Sequence, residues 1–69
     1  MAYGDDLWEG ECFIVRHHEK AMLVDHDNEE YWVPYSEIDQ DSDLTRDSEP
    51  NEEGRLVISY WLAKKAGWV

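Results

Sequence analysis

Residues 20–38, KAMLVDHDNEEYWVPYSEI, constrain what this chain can fold into more than any other stretch. Ala21, Leu23 and Asp25 alternate with Met22 and Val24, the period-two pattern of a half-buried strand. His26 to Glu29, HDNE, reads as a tight turn, because Asn28 tolerates the left-handed backbone that hairpin turns need. Glu30 to Val33, EYWV, then returns as the next strand. Pro34 ends it, since proline has no N–H for a ladder. Ser36 stands where it would cap a short helical turn through Glu37 and Ile38. A hairpin alone is marginal in water, so the remaining residues must pack on this one or hang from it.

Upstream, Glu11 to His18 is rich in β-branched and aromatic residues and predicts a strand. Strict alternation puts Phe13, Val15 and His17 on one face and Cys12, Ile14 and Arg16 on the other. Both faces are then partly apolar, which favours a curved or barrel-like sheet over a flat one. Residues 1–10 show no period and predict a flexible start, with Trp8 anchoring it to the body. Downstream, Arg55 to Ile58 predicts a fourth strand. Ser59 predicts a helix N-cap, Tyr60 to Ala66 a two-turn helix, and Gly67 its end, with Lys64 and Lys65 complementing the helix dipole. Leu62, Ala66 and Trp68 should cover the sheet. Between these parts, residues 37–53 hold eight acidic residues against one Arg, with Ile38 and Leu44 as their only large apolar side chains. That composition predicts a long acidic loop over 39–54, too polar to be a core element.

The expected fold class is α+β: about four antiparallel strands in a small barrel-like sheet, with one short C-terminal helix, in a single domain over 1–69. At 69 residues a core is marginal without staples or a partner. One cysteine, Cys12, leaves no internal disulfide and no paired-cysteine metal site, and it fits a reducing cytoplasm. No apolar run approaches the roughly 20 residues of a membrane helix, and the first residues lack a signal-peptide pattern. These features predict a soluble protein of the cytoplasm, without cofactors and without a membrane partner.

Three stretches resemble a family of small phage and prophage proteins. They are Lys20-Ala21-Met22-Leu23-Val24, then Glu30-Tyr31-Trp32-Val33-Pro34-Tyr35-Ser36-Glu37-Ile38, then Trp61-Leu62-Ala63-Lys64-Lys65-Ala66-Gly67. The family pattern is K-A-x-L-V, E-x-W-x-P-x-S-x-I, a variable acidic loop, and W-L-A-x-K-x-G. The match covers about a third of the chain and leaves out the N-terminal stretch and the loop. It implies a phage setting inside a bacterial host cell, where small acidic proteins antagonise host defence. The residues that carry it are ones packing would also require.

Charge bears most on function. Seventeen Asp and Glu face six Lys and Arg, for a formal net charge of -11. Such a chain repels nucleic acid and anionic membrane, whose binding needs cations, and it favours basic partners. Four Trp, four Tyr and one Phe make it too aromatic for a disordered acidic tail. The expected contact residues are Asp25, Asp27, Glu29 and Glu30 at the hairpin tip, with Glu37, Asp39, Asp41, Asp43, Asp47, Glu49, Glu52 and Glu53 in and around the loop. With the phage setting, they predict a DNA-mimic-like inhibitor that binds a basic nucleic-acid-binding site on a host complex, an anti-CRISPR or anti-restriction protein. The alternative is a structural or regulatory module that self-associates, its acidity serving only solubility.

Other chemistries find less support. Asp39, Asp41, Asp43 and Asp47 fall at positions 1, 3, 5 and 9 of a calcium loop, but Leu44 stands where glycine belongs and Pro50 where a bidentate Glu belongs. His17, His18 and His26, with Asp25 and Asp27, are candidates to gather at one end of the sheet. Adjacent His17 and His18 point to opposite faces, however, and cannot both chelate. Cys12 has no placed base, and Ser36 and Ser59 read as caps, so no enzyme is expected. Tyr31, Trp32, Tyr35 and Trp61 lack the basic groove that base stacking accompanies.

Overall fold

The computed structural model describes residues 6–69, so Met1 to Asp5 of the expected flexible start lie outside the described residues. Four antiparallel strands form one sheet in the order β3-β2-β1-β4. They are β1 (Leu7–His17), β2 (Ala21–His26), β3 (Glu29–Pro34) and β4 (Glu53–Ser59), followed by helix α1 (Tyr60–Ala66). The α+β class is as expected. The sheet is open, with β3 and β4 as its two edges, so the barrel-like expectation holds only as curl.

That curl follows from the pairing. Leu7 to Phe13 of β1 pair with β4, and Phe13 to His17 pair with β2. Pro34 lies opposite Ala21, near the His17 end of β1, while Ile38 bridges Ile58, which lies opposite Trp8. Trp8 and His17 would be about 30 Å apart on a straight strand. The four-residue step from Pro34 to Ile38 spans at most about 14 Å. A flat sheet cannot satisfy both, so β1 must bend. A β-bulge between Ile14 and Arg16 supplies one bend.

The bulge also corrects the expected faces of this strand. Val15 is the extra residue, so alternation slips by one beyond it. His17 joins Cys12 and Ile14 on the inner face, opposite buried Met22, and Arg16 joins Phe13 on the outer face, opposite Leu23. The start of β1 is a second correction. Leu7 to Gly10 are strand, not a flexible leader, because β4 gives each of them a partner. Trp8 does anchor this segment: its ring lies 5.0 Å from His26 and 5.3 Å from Trp68. Gly10 makes that possible, since a Cβ there would stand 2.6 Å from the Trp8 indole.

The β2–β3 turn forms as expected. Asp27 and Asn28 both take positive φ, 58° and 68°, as a two-residue type I′ turn requires. The Asn28 N–H donates to Asp25 Oδ1 at 3.1 Å. After β3, however, the helical turn is a 3-10 turn over Tyr35–Glu37 with Pro34 before it. Ser36 lies inside that turn and does not cap it, because Pro34 already sets the extended φ the chain needs there. Ser59 does occupy the N-cap of α1, but its hydroxyl is buried without a partner; the Tyr60 N–H donates instead to the Asp6 carbonyl at 3.1 Å. Past the helix, Gly67 takes φ 84°, and the N–H groups of Gly67 and Trp68 donate to the Lys64 and Ala63 carbonyls. This is a Schellman ending, which favours glycine at that position.

The core gathers Ile14, Met22, Val24, Val33, Leu56 and Ile58 from the sheet with Leu62, Ala63, Ala66 and Trp68 from the helix end. Leu44 joins them at 0 % exposure. The acidic stretch is therefore part of the fold rather than a loop hung from it. The Asp39 N–H donates to the Val57 carbonyl, and the Asp43 and Leu44 N–H groups to that of Arg55. The Ser42 hydroxyl takes the Val57 N–H and bonds the Leu44 carbonyl. The far half is tied to β1: Asn51 N–H to the Ile14 carbonyl, and Ile14 N–H to the Glu52 carbonyl. His17 Nε2 faces the Ser48 carbonyl at 2.6 Å and must donate to it, while Nδ1 lies 2.6 Å from the Tyr35 hydroxyl.

Candidate functional site

Directly paired residues on neighbouring strands project to the same face. Glu30 pairs with Asp25, Asp25 with Phe13, and Phe13 with Glu53. One row thus crosses all four strands on the outer face, three carboxylates around one aromatic ring. The next outer positions along β1 and β4 are Glu11 opposite Arg55 and Glu9 opposite Val57. Arg55 organises this region. Its Nη1 bonds Glu9 Oε1 at 2.6 Å, its Nη2 donates to the Asp41 carbonyl at 2.7 Å, and its Nε lies 3.8 Å from Asp43 Oδ2. The Glu9 hydrogen bond, with the charges of Glu9, Asp43 and Asp41, holds the guanidinium pKa above its ordinary value. The result is an acidic outer face built from the sheet row and the first half of the acidic stretch.

Asp25, Glu30, Asp41, Asp43 and Glu53 are thus brought into one region. The other expected contact residues stand elsewhere. Asp27 and Glu29 are exposed at the hairpin tip, where the Glu29 carbonyl accepts the Trp68 Nε1–H at 2.9 Å. Glu37 is half-buried in the 3-10 turn. Asp39 and Asp47 line an open groove with Glu19, Lys20, Tyr35 and Arg46. Arg46 lies over the Tyr35 ring there, 5.1 Å from its centroid. Asp39 is also occupied locally, its Oδ2 accepting the Asp41 N–H at 3.0 Å. Glu52 is likewise engaged, its Oε1 accepting the Glu49 N–H at 3.0 Å.

Sequence reasoning missed Glu9, Glu11 and Phe13 as members of this face. Alternation from Phe13 back through Glu11 and Glu9 was the available signal, had the strand been extended to Leu7. The three histidines do not gather at one end of the sheet. His17 sits with Tyr35 and Ser48, His18 against Trp32, and His26 between Trp8 and Trp68. The reason is topological: His17 closes β1 and His26 closes β2, and antiparallel strands end at opposite ends. Among the described residues no three His, Cys, Asp or Glu side chains converge as a metal site would need.

Cys12 is buried, and burial pushes its thiol pKa from 9.0 up to about 12, with the charges of Glu11 and Asp25 adding to the shift. It stays a neutral thiol near pH 7 and is a poor nucleophile. The raised folded-state value makes the folded chain hold this proton more tightly than the unfolded chain. Its stabilising contribution is complete below about pH 9 and is lost as pH rises toward 12. We expect iodoacetamide to label Cys12 at pH 8 only as fast as the chain opens. A Cys12→Ala variant should lose less stability than the parent between pH 9 and 12 in denaturant titrations. Rapid labelling of the folded chain would contradict the burial.

No helix among the described residues is long and apolar enough to cross a membrane. Compared with known protein families, curated proteins and solved structures, the chain matches none.

Proposed function

We propose that this protein is an acidic interaction module that occupies a basic nucleic-acid-binding site on a host protein complex. It would thereby inhibit a defence system of the CRISPR or restriction type. The supporting observation is the outer face, where Glu30, Asp25, Glu53, Glu11, Asp41 and Asp43 stand together with Arg55 already engaged by Glu9. The resemblance to phage proteins supplies the host setting, and the bacterial cytoplasm as the place of action. The reading is one of binding, without a reaction.

Spacing limits the mimicry. Strands lie about 4.8 Å apart, and same-face residues along a strand about 6.6 Å apart. The three carboxylates of the row therefore span roughly three strand spacings, about 14 Å. Duplex DNA carries about eight charges over that length. The face copies the sign of DNA but not its density, so charge steers the encounter and other contacts must hold the complex.

The test uses immobilised protein, a bacterial host lysate, and a parallel column carrying Asp41→Lys, Asp43→Lys and Glu53→Lys. We expect the parent column to retain a nucleic-acid-binding complex that duplex DNA displaces and salt weakens, and the reversed column to lose it. Retention by both columns would sink the reading. The second reading, a self-associating structural or regulatory module, draws on Trp61 and Tyr60 of α1, which are 53 % and 44 % exposed. A salt-insensitive dimer by light scattering would favour it.

A further inference from the structure

Phe13 stands in the middle of the outer face, 37 % exposed, with Asp25 beside it on β2 and Glu53 beside it on β4. Each neighbour is one strand spacing away, about 4.8 Å. The adjoining row runs Arg16, Leu23, Trp32, and Trp32 is 42 % exposed. The helix packs with the core on the other face; on this side Val57, at the β4 edge, is buried, while Phe13 and Trp32 keep exposed surface among the described residues. An aromatic centre within a charged rim is the arrangement of a protein-contact hot spot.

The chemistry of the row selects what covers it. A half-exposed ring with a carboxylate residue on each neighbouring strand suits a guanidinium, which stacks on a ring and makes charge-assisted N–H bonds; Asp25 Oδ1 already accepts the Asn28 N–H at 3.1 Å, which leaves Oδ2 for such a bond. An ammonium makes the second contact but has no planar face to stack. We propose that the Phe13 row is a docking site for an arginine-rich segment of a partner protein, with one guanidinium seated over Phe13 between Asp25 and Glu53. The inference rests on the reading that the partner is basic, and adds where it binds and through which side chain. A second copy of the chain fits poorly, because two such faces set Glu30, Asp25, Glu53 and Glu11 against the same carboxylates. Arg16 is this face's own cation in the neighbouring row, and among the described residues it makes no ion pair.

The probes are hexa-arginine and hexalysine peptides, titrated into the whole protein at low salt with backbone amide shifts as the readout. We expect hexa-arginine to bind more tightly than hexalysine, with shifts centred on Phe13, Asp25 and Glu53. Phe13→Leu, which keeps an apolar side chain but removes the ring, should weaken hexa-arginine about three- to five-fold and hexalysine by clearly less. Glu53→Gln should weaken both peptides, and Glu19→Gln, in the groove with Asp39 and Asp47, neither. Unchanged amide spectra elsewhere would show that each variant folds. Equal binding of the two peptides, insensitive to Phe13→Leu, would overturn the docking site while leaving the basic-partner reading standing. So would shifts centred on the Asp39 and Asp47 groove. Binding of neither peptide would overturn both.

Discussion

Replacing Leu44 by alanine lowers the unfolding free energy by about 2–5 kcal/mol, the range for deleting a fully buried leucine. A chain this size has a total stability of roughly 3–10 kcal/mol, so the change takes a large part of it. The effect is large because Leu44 has 0 % exposure and belongs to the core cluster, although it comes from the most acidic stretch of the chain. Its Cδ2 would stand 3.3 Å from a Cβ placed on Gly54, so little else can fill the space it leaves. The denaturant midpoint measures the loss. Hydrogen exchange should show a second consequence. The amides of Asp43 and Leu44, now bonded to the Arg55 carbonyl, should exchange faster than those of β2. Because Asp41 and Asp43 lie just before this anchor, the variant should also loosen their place on the outer face. An unchanged midpoint would mean that the acidic stretch contributes nothing to the core.

Trp68→Ala costs about 3–5 kcal/mol. Trp68 is 8 % exposed, lies 5.3 Å from Trp8 and 5.7 Å from His26 between ring centroids, and donates Nε1–H to the Glu29 carbonyl. It therefore ties the end of the chain to both the start of β1 and the base of the hairpin turn. Trp68→Phe separates the two contributions. It keeps an aromatic ring and drops the hydrogen bond, and should cost nearer 0.5–1.5 kcal/mol plus the smaller packing area. Equal losses for both variants would assign the whole effect to the Nε1 bond. A loss below about 1 kcal/mol for alanine would mean that the aromatic cluster is not part of the cooperative unit.

These residues also mark where the sequence could and could not be read. The Asp27–Asn28 turn and the Gly67 helix ending were legible because each is decided by the backbone preferences of one or two residues. Met22 and Val24 were legible as sharing one face because β2 alternates without interruption; that this face is the buried one came from the packing. Leu44 was not, since one leucine among carboxylates shows no period, and its burial depends on β4 lying beneath it. The bulge at Val15 was equally silent, and it moved His17 and Arg16 to faces opposite to those that alternation implied. Leu7 to Gly10 looked irregular because their strand partner, Leu56 to Ser59, lies about fifty residues on.

The same division governs the candidate site. Net charge, the hairpin, the short terminal helix and the aromatic content that requires a packed core could be read from the residues alone. Those are sums over residues or preferences of a few neighbours along the chain. Which carboxylates share a face depended on how distant segments pair. Glu30, Asp25 and Glu53 meet around Phe13 through strand register, and Asp41 and Asp43 reach Glu9 through Arg55. Register and ion pairing are set between segments far apart in sequence, where burying the inner face selects one alignment of the strands and leaves the outer face to follow.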